Sequence, residues 1–342
     1  MRKFLIKISI FLFYSFLLVV AFPYVVDPFN VFHADNIRPS IIEPNKKYIK
    51  MKYILKNPNK FNAYMFGSSR VGAIHTEKIQ NENIYNLTTA SGNPAEHLEN
   101  LKTFIANGVH PIKIYIGVDS LSYTVSPDDL RKDPMRCPYE SLHNDPIHFC
   151  SLYFQPYDVV RALLLERNEF RKIDPYVFYE YGWWITYDMK SKFSWHKDNI
   201  APSIWPHNRL KQTLSDIEEI VKLCNEHEIE LVIFTNPMHH VTYTASVEEK
   251  NYFDFLEGLA EITDFYNFSS INNMTLSNDY YLETSHYKAK LGDMILNVIC
   301  NDAKYDELYE QCFGVKVTGD NVDELIKMLK EQMKAVMLAE KI

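Results

Sequence analysis

Apolar and polar positions divide the chain into stretches of different period. The first stretch is continuous: after Met1-Arg2-Lys3 comes FLIKISIFLFYSFLLVVAFPYVV, with no charge from Ile8 to Val26. Those 19 residues, at a helical rise of about 1.5 Å, cover roughly 28 Å, close to the hydrocarbon thickness of a bilayer. No small-x-small cleavage site follows; Phe22, Pro23 and Tyr24 come instead, with aromatics suited to a membrane interface. A retained single-pass anchor over residues 1–27 is therefore expected rather than a cleaved leader. Arg2, Lys3 and Lys7 favour a cytoplasmic N-terminus with the main domain on the far side of the membrane.

Residues 28–60 are polar, basic and punctuated by proline, and read as a tether and lead-in. From residue 61 the pattern alternates. NAYMFG (62–67) is a short apolar run closed by glycine, a buried strand, and NIYNLTT (83–89) is a second. NPAEHLENLKTFIANG (93–108) reads as a helix, with Asn93 at the cap, Pro94 in the first position and Glu96 completing a capping box. Leu98, Leu101 and Ile105 would form its apolar face and Gly108 its end. IKIYIGV (112–118) is a third strand and ELVIFTNP (230–237) a fourth, with an amphipathic helix, RLKQTLSDIEEIVKLCNEHEI, between them. A helix that Ser246 would cap comes next, then TDFYNFS (263–269) as a strand and YKAKLGDMILNVIC (287–300) as a closing helix.

Strands alternating with helices predict βαβ units and an α/β domain over 61–302, three-layer αβα around a mainly parallel sheet. The alternation lapses from about 123 to 208, which holds all four Trp (Trp183, Trp184, Trp195, Trp205), so this interval is an aromatic-rich insertion. Core or lid packing accounts for the adjacent Trp pair better than a sugar-stacking surface does. The segment 303–342 is a helical extension, amphipathic from about Asp320.

Composition changes little. At 46% hydrophobic and 23% charged the chain is ordinary globular material, and 342 residues can bury a substantial core. A net charge of −8 argues against nucleic acid as a partner. Five cysteines without a CxxC spacing do not form a zinc site or a disulfide scaffold, though a Cys137–Cys150 bridge stays open in an oxidising compartment. Adjacent His239 and His240 rarely face one ion, and with no nearby carboxylate or cysteine partner no metal is expected.

The chemistry gathers at two places. Gly67-Ser68-Ser69-Arg70 stands at the carboxyl end of the first strand, where open α/β sheets carry their sites, with a turn and helix expected after it. A serine there needs a base, and the base an orienting acceptor. In YYLETSHYKAKLGDMIL, Glu283 precedes His286 by three residues, so a carboxylate can reach one imidazole nitrogen and leave the other for a hydroxyl. Arg70 would serve either a substrate anion or, more simply, a surface salt bridge.

On these residues the chain resembles the SGNH, or GDSL-like, hydrolase superfamily. There the nucleophile is the third residue of a Gly-Asp-Ser block after the first strand, and Asp-x-x-His precedes the last helix. GSS at 67–69 and ETSH at 283–286 occupy those places, with Ser69 in the nucleophile position, Ser68 where the family has aspartate, and Glu283 where it has aspartate. The block that supplies an oxyanion glycine matches Ser91-Gly92-Asn93, and the third block's asparagine is replaced by Asp119 in YIGVDS. The resemblance implies an SGNH/flavodoxin-like fold and a Ser69–His286–Glu283 triad. It also implies Gly92, Asn93, Ser68, Arg70 and Asp119 around the oxyanion and substrate.

More narrowly, the anchor, the GSS variant and SHYKAKLGD resemble the anchored SGNH-like proteins that accompany membrane-bound O-acyltransferases, such as the DltD-like and alginate-acetylation proteins. That likeness implies acyl-ester transfer or hydrolysis with no cofactor. It further implies a cell-envelope polysaccharide or teichoic-acid-like polymer as substrate and a membrane O-acyltransferase as partner. A plain carbohydrate esterase, or an inactive binding partner of the acyltransferase, are the alternatives.

Overall fold

A computed structural model describes residues 1–37, 42–79, 82–164, 174–182, 207–301 and 303–339. The four tryptophans lie outside the described residues, so the aromatic-rich insertion is seen only in part. The chain forms two compact units, one from 1–57 with 128–179 and one from 58–127 with 180–342.

The second unit is mixed α/β around a six-stranded, mostly parallel sheet. Its strands are β1 (Ala63–Gly67), β2 (Ile84–Asn86), β3 (Lys113–Val118), β4 (Glu230–Thr235), β5 (Phe265–Asn267) and, after a two-stranded hairpin of β6 (Tyr281–Glu283) and β7 (His286–Tyr287), β8 (Val315–Val317). The sheet order is β2-β1-β3-β4-β5-β8, parallel except for the antiparallel β5–β8 edge. β1, which is buried throughout, reads as a continuous apolar run because it has no solvent face. Its alternate residues serve different neighbours. Ala63 and Met65 join a core with Tyr115, Leu291 and Ile295, whereas Tyr64 meets Phe104 at 4.6 Å between rings and Phe66 stacks on His97 at 5.4 Å.

Several local expectations shift. Helix Pro94–Ala106 forms with the Asn93 side chain accepting the Glu96 N–H. The Glu96 carboxylate in turn accepts the Thr89 hydroxyl. The buried face of this helix is centred on His97, Leu101 and Phe104, leaving Leu98 and Ile105 half-buried, because the ring of His97 has an aromatic neighbour to cover it. Ser246 caps nothing. It lies inside helix His240–Lys250, bonded to Ser120, and the chain breaks instead at Asn251, in the left-handed region at φ 53°, before helix Tyr252–Ile262. Strand β8 belongs to what reads as a C-terminal extension; it closes one sheet edge before helix Val322–Ala339.

In the first unit the helix Arg2–Val26 is long and apolar enough to cross a membrane, and none of its most apolar window is buried. The segment that reads as a tether carries helix Lys46–Lys56 and its own core of Phe29, Val31, Ile42, Cys137, Leu142 and Tyr153. Asn45 organises it. Its Oδ1 accepts the Tyr48 N–H at the helix start, and its Nδ2 donates to the Cys137 carbonyl at 2.9 Å and the Tyr153 hydroxyl at 2.7 Å. The Cys137–Cys150 bridge does not form and none of the five cysteines is in a disulfide: Cys150 is exposed, and buried Cys137 has its sulfur 3.6 Å from His148 Nε2.

Candidate active site

The sheet order 2-1-3-4-5 places a switch of chain direction between β1 and β3, where open α/β sheets leave a crevice at their carboxyl ends. Gly67 and Gly117 pair across that point. Glycine is required at 67: φ is +154°, and an added Cβ would lie 2.6 Å from Val71 Cγ2. The strand therefore turns abruptly and presents Ser68 and Ser69 at its end. A single 3₁₀ segment, Ser69–Ala73, stands in place of the expected helix, so no long helix dipole points at the serine.

The hairpin β6–β7 brings the second cluster to this turn. Ser69 Oγ lies 2.8 Å from His286 Nε2, although 217 positions separate them. His286 Nδ1 bonds Glu283 Oε1, whose other oxygen accepts the Ser285 N–H at 2.8 Å. Burial by itself would raise the Glu283 carboxyl. The hydrogen bond and charge of His286, the Ser285 N–H and the Arg70 guanidinium outweigh it and hold the group below its ordinary range. The cluster opens to solvent, with the His286 side chain 31% and that of Glu283 46% exposed, so a large molecule can reach it.

The hairpin is held by a closed ring of polar contacts. Arg70 Nε donates to the Ser285 carbonyl at 3.0 Å, its Nη2 to Ser285 Oγ at 3.3 Å, and its Nη1 lies 2.5 Å from Asp119 Oδ1. Asp119 Oδ2 accepts from Asn236 Nδ2 at 2.8 Å, and Asn236 Oδ1 accepts the Tyr287 hydroxyl at 3.2 Å, next to His286. Tyr281 anchors the other strand through its hydroxyl to the Pro237 carbonyl at 3.0 Å. Arg70 is 3% exposed and Asp119 1%, so their ion pair is buried and not the surface salt bridge that composition favours. Asp119 carries its negative charge against a guanidinium and caps the turn at Leu121, whose N–H it accepts at 2.7 Å.

Gly92 and Asn93 also reach this end of the sheet. A Cβ on Gly92 would sit 2.4 Å from the Gly67 carbonyl oxygen, so only glycine permits that approach. The Gly92 N–H, however, donates to the Thr89 carbonyl at 3.2 Å inside its turn. Among the described residues Asn93 Nδ2 and Ser68 Oγ are buried polar atoms without a hydrogen-bond partner, an expensive state unless something else supplies one. The structure thus brings Ser69, His286 and Glu283 together, ties Arg70 to Asp119, and leaves Asn93 and Ser68 with spare polar capacity.

His239, which the metal question concerned, is fully buried and braces the hairpin. Its Nε2 meets Asn278 Oδ1 at 3.0 Å and its ring lies edge-on to Tyr281 at 5.0 Å. Among the described residues no cluster of three metal-ligating side chains occurs. Burial first, then the neighbouring His240, lowers its pKa from 6.5 to about 4, against smaller opposing effects of Asn278 and Glu283. The unfolded chain then binds a proton that the folded one refuses, so stability falls as pH drops from 6.5 towards 4, by about 3 kcal/mol. Denaturation midpoints against pH should show that loss, and His239→Gln should remove it; parallel curves for the two proteins would rule it out.

No protein-family model matches the chain, and no curated protein matches it.

Proposed function

We propose that this protein is a membrane-anchored serine acyl-ester transferase or esterase of the SGNH-like type, built on a three-layer αβα domain and acting on O-acyl groups of a cell-envelope polymer. The observation that carries this reading is the contact of Ser69 Oγ with His286 Nε2 at 2.8 Å while Glu283 occupies Nδ1. Ser69 attacks the acyl carbonyl as His286 takes its proton, and Glu283 fixes the ring and balances the imidazolium that forms. The tetrahedral intermediate collapses as His286 returns the proton to the leaving alkoxide, giving an acyl-Ser69 ester. A polymer hydroxyl or water then repeats the sequence in reverse. No cofactor takes part. A membrane O-acyltransferase is the fitting source of acyl groups.

We assign the oxyanion donor to Asn93 Nδ2, a buried donor with no hydrogen-bond partner among the described residues, because the Gly92 N–H is already committed to Thr89. Asn93→Ser keeps an oxygen able to cap helix Pro94–Ala106 but removes the amide donor, and it puts no charge in the interior. It should lower kcat on an activated acyl ester by about 10²- to 10³-fold with little loss of thermal stability. Equal falls in activity and stability would instead make Asn93 a cap only.

The chain as a whole is tested with a fluorophosphonate probe, which should label the purified protein and fail on Ser69→Ala. Labelling that survives that change removes Ser69 as nucleophile. In cells, envelope polymer acylation that is unchanged in Ser69→Ala would point to a binding role for the domain instead.

A further inference from the structure

The unit formed by 1–57 and 128–179 has one helix with apolar residues on its outer as well as its inner side. Helix Pro156–Leu164 turns Val159 inward, and Ala162 packs on the core around Phe29 and Tyr153. Most of its outward positions are apolar too: Tyr157 is 75%, Val160 48%, Leu163 61% and Leu164 78% exposed, beside exposed Arg161 and half-buried Asp158. Tyr157, Val160 and Leu164 follow the i, i+3, i+7 spacing of a single helix face. A contiguous apolar face in water is a sign of something that covers it.

The neighbours of this face identify the cover. The last turn of the N-terminal helix, Phe22–Val26, packs beside helix Pro156–Leu164 within the same unit. That turn is firmly held. Asp27 stops the helix in the left-handed region at φ 45°, and its carboxylate accepts the N–H groups of Val31 at 2.9 Å and His33 at 2.8 Å. The Tyr24 ring lies 5.4 Å from Phe32, which lies 5.1 Å from Phe154, two positions before the helix begins. If the uncharged run from Ile8 to Val26 spans roughly 28 Å of hydrocarbon, Phe22–Val26 stands at its boundary. A helix packed against that turn then lies at headgroup depth.

We propose that helix Pro156–Leu164 is a second membrane contact, lying in the lipid interface with Tyr157, Val160, Leu163 and Leu164 in the upper acyl region. The occupant of the face is the bilayer itself. The Tyr157 phenol and the Arg161 guanidinium stay with the headgroups, as amphipathic side chains do at this depth. The inference rests on reading the Arg2–Val26 helix as a spanning anchor.

The test uses the full chain with Cys150→Ser, reconstituted in phosphatidylcholine vesicles and carrying an environment-sensitive fluorophore on Leu164→Cys or, separately, on Leu12→Cys. Lipids with a nitroxide high on the acyl chain should quench the Leu164 probe by at least about twofold, and deep nitroxides the Leu12 probe. Weaker quenching at Leu164 with Leu12 quenched overturns the interfacial helix and leaves the anchor standing. An unquenched Leu12 overturns both. A Leu164 probe untouched by nitroxide lipid yet shielded from iodide identifies a protein cover and likewise overturns the inference. Fluorophosphonate labelling of Ser69 is independent of all these readings, so failure of the proposed chemistry is told apart from failure here.

Discussion

Replacing His286 by alanine should slow turnover of an activated acyl ester by about 10⁴- to 10⁶-fold, the scale seen when a serine loses its base. The reason is local: at 2.8 Å from Nε2, the Ser69 hydroxyl has its proton acceptor in place, and the described residues show no second acceptor bonded to it. Glu283→Gln should be milder than His286→Ala, because the Glu283 side chain is 46% exposed and water replaces part of its effect on the imidazolium. The decisive measurement is the pair. With the imidazole gone, the carboxylate has nothing to orient, so the double variant should be no slower than His286→Ala alone. Additive losses would show that Glu283 and His286 act separately, which the triad reading does not survive.

Arg70→Met should destabilise the fold by about 3–5 kcal/mol, measured by denaturant unfolding, since it leaves the Asp119 carboxylate buried without its guanidinium. Adding Asp119→Asn removes the orphaned charge and should restore part of that stability, since the amide keeps one of the two oxygens that accept from Leu121 and Asn236. Activity should not return with it. Arg70 also donates to both oxygens of Ser285, one residue before His286, and methionine cannot hold that loop against the Ser69 turn. We expect the double variant to fold well and to stay about 10²-fold slow, as a misplaced base would be. Recovery of stability and rate together would show that Arg70 only neutralises Asp119.

Much of this arrangement is legible in the order of residues alone. The strands β1, β3 and β4 lie inside the sheet, so their apolar runs are unbroken, and Asn93-Pro94 announces a helix start by capping chemistry alone. The meeting of Ser69 with His286 accords with where each stands relative to the sheet order. Other parts are hidden for physical reasons. β8 and the β6–β7 hairpin are strands of two or three residues, too short for any period to register. Helix Lys46–Lys56 hides Lys46, Lys47 and Lys50 in the interior, and burial pushes the Lys50 amine well below its ordinary value. A run of lysines reads as a solvated tether because burying them is normally unfavourable. Arg70 has a surface composition and an interior position, and only its three-way contact with Ser285 and Asp119 reveals the difference.

The 217 positions between hydroxyl and imidazole bear on biosynthesis. At ribosomal speeds, roughly 10 to 40 s pass between making the two residues. Throughout that interval the serine is an ordinary alcohol without a base beside it. Under the proposed chemistry, reactivity is switched on late, by the arrival of a hairpin, so an incomplete or prematurely terminated chain is harmless to its surroundings.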